Sequence, residues 1–408
     1  MTGLSGTYDF QRVALFYAYS KNEFTLPVSG AFYGGFLDST LKLRIRTHEV
    51  RLGSSSSERL RWTVGFYRRE ALRNDVVLFE NLSVNARSRT ELSGSALFGE
   101  AGYRLESAPI ELTLGLRSFR DRLYSNDSNA GESSTAVAGV FNAVNPRYGV
   151  AWVFSTSGQI YASAARGFRS GQGQASSNVT FAKSMGIDLP KTLAPDSVWS
   201  YELGSKLSLL DRRLVLEGAI YKSDWKNFAV RVPLGSTGLN GLLTSPGTTT
   251  YGVEASIQYL ATRNLSLSLN GGYVRGRYAG AVPGTAIVRG TRTDEVPPVT
   301  WGGSADYLLG AFCGWSTRLS SSFLHSAKRM AFAAQDSRPG DTINNLSLRL
   351  AIDKGPWAVA LFADNLTNDG GGVSSRTLEV ASDTEQRYTA YRLRPRTIGL
   401  QVQYSIGK

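Results

Sequence analysis

The feature of this sequence that most constrains its fold is strict alternation of apolar and polar residues over long segments. Positions 265, 267, 269 and 273 are Leu, Leu, Leu and Tyr, whereas positions 266, 268 and 270 are Ser, Ser and Asn. The segments 110–117 and 346–352 repeat the pattern. Successive side chains of a β-strand point to opposite faces, so each segment predicts a strand with one apolar and one polar face.

The polar face of these strands must contact water. It carries Glu111, Arg117 and Arg349, whose charges are costly to transfer into a packed protein core. The apolar face must then contact either a protein core or lipid. A soluble β-sandwich also has one wet and one dry face per strand, so alternation alone leaves both architectures open.

The connections between the strands favour a membrane barrel, because short and long ones alternate. Short ones, rich in turn-forming residues, lie at 155–158, 210–213, 261–264, 310–314 and 353–356. Long ones run roughly over 26–40, 73–90, 126–144, 171–196, 233–249, 281–297, 328–340 and 370–390. Outer-membrane barrels combine short periplasmic turns with long extracellular loops, and their strands cross the membrane in about nine to eleven residues. We therefore predict an all-β, transmembrane antiparallel barrel of about 16–18 strands.

Composition excludes several other classes. There is no run of about 18 apolar residues, which a membrane-spanning helix requires. The sequence is 11% aromatic and only 19% charged, unlike a disordered chain. The net charge of +12 is spread along the chain without a basic tract, so we expect no nucleic-acid partner. Arginines lining a barrel lumen account for the same excess.

Residues that carry catalytic or metal chemistry are sparse. Cys313 is the only cysteine, and His48 and His325 are the only histidines. They have neither the spacing of metal ligands nor that of a disulfide framework, and no nucleophile motif is present. We expect no catalytic residue, no metal and no cofactor, and hence no enzyme.

Several motifs resemble those of one family. Residues 194–206 read A-P-D-S-V-W-S-Y-E-L-G-S-K, which resembles the hairpin P-E-x-x-x-x-Y-E-x-G-x-K of TonB-dependent receptors, and D-W-K follows at 224–226. The segments 145–149, 251–254, 364–368 and 394–399 match further motifs of these receptors. The matches occur in the family's order over roughly residues 50–406.

The resemblance implies an outer-membrane receptor of a Gram-negative bacterium that takes up a scarce nutrient such as an iron chelate, cobalamin or an oligosaccharide. It implies outer-membrane lipid and the barrel-assembly machinery as partners, and the TonB complex if a plug is supplied. Barrels of this class have about 22 strands around a plugged lumen. Residues 1–408 are thus expected to be one partial barrel domain without signal peptide or plug, ending in I-G-K rather than in the family's usual aromatic residue.

Candidate site residues follow from this reading. Loop and rim residues could contact an anionic ligand; these are Arg169, Trp225, Lys226, Arg231, Arg275, Arg277 and Arg329. Glu111, Arg117 and Arg349 are predicted to face the lumen. For each residue the simpler alternative is a charge that faces solvent or a lipid headgroup. A passive pore and a soluble β-rich binding domain remain alternative functions.

Overall fold

The computed structural model describes residues 2–32, 35–54, 59–79, 84–129, 135–174, 176–234, 240–312, 314–331, 337–374, 376–382, 385–389 and 391–406, so Cys313 lies outside the described residues. The wall strands are β1 (Thr2–Asp9), β2 (Val13–Phe32), β3 (Gly35–Ser54), β4 (Leu60–Phe79), β5 (Val84–Arg104), β6 (Ile110–Asn129), β7 (Thr135–Ser155), β8 (Gly158–Arg169), β11 (Asp196–Leu209), β12 (Leu214–Lys226), β15 (Thr248–Leu260), β16 (Leu265–Tyr278), β17 (Val299–Phe312), β18 (Trp315–Ser326), β20 (Ile343–Lys354), β21 (Trp357–Asp364) and β24 (Thr397–Tyr404). The connections contain β9 (Gln172–Gly173), α1 (Ser176–Ser184), β10 (Thr192–Leu193), β13 (Ala229–Pro233), β14 (Asn240–Thr244), β19 (Ser337–Arg338), β22 (Arg376–Ser382) and β23 (Glu385–Thr389).

Within the described ranges, the wall strands form one sheet of 17 strands. Each wall strand pairs antiparallel with the next wall strand along the chain. The first and last strands, β1 and β24, are not paired with each other there, so the sheet is open. The predicted all-β antiparallel architecture and strand number are confirmed.

The wall strands differ greatly in length. Strands β2 to β7 contain 20 or 21 residues each, whereas β8 and the wall strands after it contain 8 to 14. Since about nine to eleven residues cross a membrane, the first group projects well beyond it. The prediction of long loops at 26–40, 73–90 and 126–144 was therefore largely wrong, because most of these residues extend the hairpins. Polar residues on both faces obscure the alternation at 85–90 and 126–129, and apolar residues on both faces obscure it at 136–141.

The outer face of the wall is apolar and exposed. Leu112, Leu114 and Leu116 are 42%, 61% and 55% exposed, whereas the alternating residues Glu111 and Thr113 are half-buried on the opposite, inner face. Soluble proteins rarely expose contiguous apolar surface on this scale, so a lipid environment explains it. None of the helical segments in the described part of the chain has the length and apolar character of a membrane-spanning helix.

A buried hydrophobic cluster lies at the long-loop end, mainly in the connections, with Tyr278 from the end of β16. This loop cluster consists of Ala182, Leu189, Val230, Val232, Leu234, Tyr278, Val282 and Ile287. It joins α1, the β13–β14 hairpin and the segment after β16. The one helix of the described residues, α1, contributes Ala182 to this cluster and is a small addition to the predicted all-β architecture. At nine residues, α1 gains its stability from packing and shows little periodicity of its own.

Candidate functional site

A cavity of about 910 Å³ opens on the inner face of the wall, beside β3 to β8. Five arginines, two carboxylates and three aromatic residues line it: Arg69, Arg73, Arg117, Arg166, Arg169, Glu49, Asp121, Tyr67, Phe119 and Phe168. The two-residue repeat of a β-strand explains why most of these side chains lie on the same face. Arg69 and Arg73 on β4 and Arg117, Phe119 and Asp121 on β6 are spaced by even numbers of residues, so each group shares the inner face.

Three of the arginines are neutralised by carboxylates. An Nη atom of Arg69 lies 2.9 Å from Asp121, and the Nε atom of Arg73 lies 2.6 Å from Asp75. The Nε atom of Arg169 donates to Asp196 at 2.8 Å. These pairs fix the arginine side chains in place and leave little positive charge for a ligand.

The other two arginines, Arg117 and Arg166, have no carboxylate within ion-pair distance among the described residues. The Arg117 guanidinium lies 5.3 Å from the ring centre of Tyr67 and 5.6 Å from that of Phe119. Arg166 donates from an Nη atom to the carbonyl oxygen of Val144 at 3.1 Å. Since aromatic faces and carbonyl groups only partly satisfy a guanidinium, both side chains can still bind an anion.

Asp121 anchors the cavity. It is fully buried and accepts a hydrogen bond of 2.5 Å from the Ser170 hydroxyl as well as the contact from Arg69. Gly94 on the neighbouring strand leaves room for it, because a Cβ atom there would lie 2.9 Å from the Oδ1 atom of Asp121. Ser170 follows β8, so Asp121 ties the connection between β8 and β11 to the wall.

A divergence between β7 and β8 brings the β8 residues into the cavity. The pairing of β7 with β8 runs from Ser155 and Gly158 to Arg147 and Ala165. Strand β8 then stays paired with β11 as far as Arg169. Beyond Ala165, where the pairing with β7 ends, Phe168 packs on Phe119 at a ring-centre distance of 5.1 Å.

The structure brings a few of the sequence-predicted site residues together. The Arg169 guanidinium lies 4.6 Å from the Trp225 ring centre, so Trp225 lies beside the cavity and connects it to the loop cluster through Phe228 at 5.0 Å. Arg117 lines the cavity itself. Lys226, which follows Trp225 at the end of β12, and Arg231 on β13 are exposed.

Other predicted residues have separate environments. Arg277 donates to the carbonyl oxygen of Gly290, and Arg329 donates to that of Glu295 at 3.1 Å, so both hold loop backbone. Arg275 is exposed and lies opposite Tyr251, an exposed residue of the outer face.

Two predicted lumen residues are bonded on the inner face away from the cavity. Glu111 pairs with Arg61, and Arg349 donates to the Gln401 side chain at 2.9 Å. The described residues contain no group of three or more His, Cys, Asp or Glu side chains that could hold a metal ion.

Sequence reasoning missed Arg69, Arg73, Asp121 and Arg166. The even spacing of the first two was available as a signal, since it places them on one face of β4. The pairing of Arg69 with Asp121 was not available, because these residues are separated by 52 positions and by an intervening strand.

The chain matches known proteins over most of its length. Residues 1–366 match the family model described as TonB dependent receptor-like, beta-barrel. The structure is similar to the ferric yersiniabactin uptake receptor FyuA from Yersinia pestis, with a TM-score of 0.79 and 15% identity over 98% of this chain and 60% of that one. The siderophore receptor PiuA from Acinetobacter baumannii gives a TM-score of 0.74 and 13% identity over 98% of this chain and 63% of that one.

The copper transporter OprC gives a TM-score of 0.71 and 14% identity over 99% of this chain and 65% of that one. The chain thus spans about three fifths to two thirds of the length of these structures, and at this identity they show its fold alone. The similar proteins are receptors and transporters of the Gram-negative outer membrane. By the match over residues 1–366, this chain belongs to the TonB-dependent receptor family and is an outer-membrane β-barrel protein.

Proposed function

We propose that this chain is the barrel of a receptor that takes up a scarce nutrient with the TonB complex, and that the nutrient is an anionic chelate bound in the inner cavity. Receptors of this family work with TonB and bind nutrient ligands. The whole chain, residues 1–408, is proposed to act as one barrel domain, which its unbroken order of antiparallel wall strands supports.

The observation that carries the ligand class is the pair of guanidiniums without a carboxylate partner. Arg117 and Arg166 lie on adjoining parts of one cavity of about 910 Å³, a volume suited to a small molecule. A carboxylate or phosphate that binds them gains charge-assisted hydrogen bonds in a partly desolvated site. Phe119, Phe168 and Tyr67 supply apolar contacts for the rest of such a ligand. Neutral oligosaccharides and cobalamin would leave both charges uncompensated.

Binding by the refolded chain in detergent tests this proposal. Ferric citrate is the anionic probe, and cobalamin and a maltooligosaccharide are the neutral ones. We expect saturable binding of ferric citrate, and a loss of about ten-fold or more in affinity in the double variant Arg117→Gln with Arg166→Gln. The matched control changes Arg212 and Arg263 to Gln, two exposed residues of the short turns.

Three outcomes would contradict the proposal. Equal affinity in both double variants would remove the cavity from the binding site. A passive pore would instead make liposomes permeable to sugars irrespective of charge, without saturable binding of any probe. For transport itself, uptake by cells that produce the whole receptor should require an active TonB complex; uptake that continues without TonB would exclude the receptor mechanism.

A further inference from the structure

One edge of strand β7 is open at the long-loop end of the barrel. On one side β7 pairs with β6 from Trp152 to Thr135, whereas on the other side its pairing with β8 ends at Arg147. Strand β8 continues beyond that point beside β11. Among the described residues, no further strand pairs with β7. Residues 135–144, which we call the β7 edge, therefore have a partner strand on one side only.

The main-chain groups of the β7 edge point toward the side of β8. An Nη atom of Arg166 on β8 donates to the carbonyl oxygen of Val144 at 3.1 Å, so this carbonyl group points away from β6. In an antiparallel sheet the N–H and C=O groups of one residue point to the same side, and that side alternates along the strand. Four exposed residues consequently direct both groups to the open side: Ala136, Ala138, Val140 and Asn142.

The β7 edge lacks the charges and prolines with which proteins commonly block an edge. Such residues keep an exposed strand from pairing with other chains. Residues 135–144 read T-A-V-A-G-V-F-N-A-V and contain neither a charged residue nor a proline. Four charged residues occur in the segment 118–127 of β6 that pairs with them: Arg120, Asp121, Arg122 and Asp127. The lack of charge thus distinguishes the edge from the strand beside it.

The β7 edge lies in water rather than in the membrane. In the register of β6 and β7, Asn142 lies opposite Arg120 and Val140 lies opposite Arg122. Side chains of directly opposed residues point to the same face, so these exposed arginines share the outer face with the edge. Arginine is costly in the hydrocarbon region, so this part of β7 lies beyond it. Long loops of an outer-membrane barrel lie outside the cell, and the edge therefore faces the surroundings of the cell.

The length and direction of the β7 edge limit what can bind it. At about 3.3 Å per residue the edge is about 33 Å long, which exceeds the span of a small-molecule ligand. Symmetric pairing of two β7 strands requires them to be antiparallel, whereas two copies inserted in one membrane direct their β7 strands the same way. An extended polypeptide, by contrast, pairs with a free strand edge through its main chain.

We propose that the β7 edge binds an extended segment of another protein outside the cell, which adds a strand to the sheet beside β7. The main chain of the edge supplies the hydrogen bonds, and apolar side chains of the segment pack beside Val140, which is 51% exposed. This interaction does not depend on the nutrient proposed above, because none of residues 135–144 lines the inner cavity.

Binding of short peptides to the full chain in phosphatidylcholine nanodiscs tests the proposal. The first probe is an uncharged, end-capped peptide of about seven alternating threonine and valine residues, followed by fluorescence anisotropy. The second probe is the same peptide with every backbone nitrogen methylated, which keeps the side chains and removes the donors. We expect saturable binding of the first peptide, and binding of the second that is about ten-fold weaker or worse.

Two variants at one position separate main-chain pairing from side-chain contact. Val140→Pro removes an N–H group that faces the open side and leaves the pairing with β6 in place, since sheet edges tolerate proline at such positions. It should weaken binding of the first peptide about ten-fold or more. Val140→Ala keeps the N–H group and should weaken binding less than about three-fold. Circular dichroism should show that both variants are folded.

Four results would overturn the proposal. The first two are no binding of the uncharged peptide and equal binding of the two peptides. The third is equal weakening by Val140→Ala and Val140→Pro, which would assign the binding to side chains. The fourth is dimerisation of the chain in bilayers that the first peptide suppresses, because this would assign the β7 edge to a second copy.

Discussion

Placing a charge on the outer face of β6 would show whether lipid covers it. Leu114 lies between two other exposed leucines of that face and is itself 61% exposed. An arginine on the lipid-facing side of a barrel costs about 2–4 kcal/mol near the bilayer midplane. Loss of the leucine side chain from lipid adds about 1–2 kcal/mol when the value for full burial is scaled by the exposed fraction. Leu114→Arg should therefore lower the free energy of unfolding by about 3–6 kcal/mol.

Two controls separate lipid from water. Thr113→Arg places the same charge on the inner face, and Tyr124→Arg places it on the outer face of β6 but within the projecting part. Each should cost less than about 1 kcal/mol, because both sites contact water. Reversible unfolding by guanidinium in phosphatidylcholine bilayers, followed by tryptophan fluorescence, gives all three values. A cost at Leu114 no larger than that at Tyr124 would refute the membrane assignment of this face.

Three further changes test the cavity and the loop cluster. Gly94→Ala should lower the free energy of unfolding by about 1–3 kcal/mol, because the added Cβ atom would lie 2.8 Å from the Phe119 ring. The control in the same unfolding assay is Gly99→Ala, where the nearest contact of the added Cβ atom would be 3.4 Å. Ile287 is fully buried, so Ile287→Asp should make the loop cluster sensitive to protease. The control Val288→Asp changes the exposed neighbouring residue and should stay resistant. Equal cleavage of the two variants would refute the packing of the loop cluster. Burial raises the pKa of Tyr278, and the Asp294 carboxylate, which accepts a 3.0 Å hydrogen bond from the Tyr278 hydroxyl, raises this pKa further. The stability that Tyr278 contributes is therefore complete below about pH 10, the pKa of tyrosine in an unfolded chain, and falls above it. Protease resistance of the loop cluster should then decline above that pH in the unchanged protein and decline less in Tyr278→Phe.

The sequence predicted those features that depend on neighbouring residues along the chain. Alternation placed Glu111 and Leu112 on opposite faces, and turn-forming residues marked the short connections. The turn at 210–213 is one example, in which Leu210, Asp211 and Arg212 all adopt positive φ values. A strand face and a tight turn are both determined within a few residues, so one sequence suffices to find them.

The features that it did not predict depend on contacts between distant segments. The extension of β2 to β7 rests on cross-strand hydrogen bonds, because the polar projecting residues lack a clear alternation. The helix α1 forms where Ala182 can pack against the β13–β14 hairpin and the segment after β16. The burial of Asp121 requires β4, β6 and the segment after β8 to meet at one point. None of these pairings leaves a local pattern in the sequence.

The contrast between the two kinds of connection explains where the cavity lies. Strands β2 to β7 continue as hydrogen-bonded hairpins, whereas the connections after β8, β12 and β16 fold into the loop cluster. The cavity opens where β7 and β8 diverge. Strands of the first group, β2 to β7, line its side, and the connection after β8, which belongs to the second group, forms its edge. Arg169 lies between the two groups, because it ends β8, lines the cavity, pairs with Asp196 and stacks on Trp225. A ligand between Arg117 and Arg166 would contact both groups, and its binding energy would depend on how the loop cluster is held against the wall. The Ser170 to Asp121 hydrogen bond makes that connection directly, which gives this buried carboxylate a structural role distinct from ligand binding.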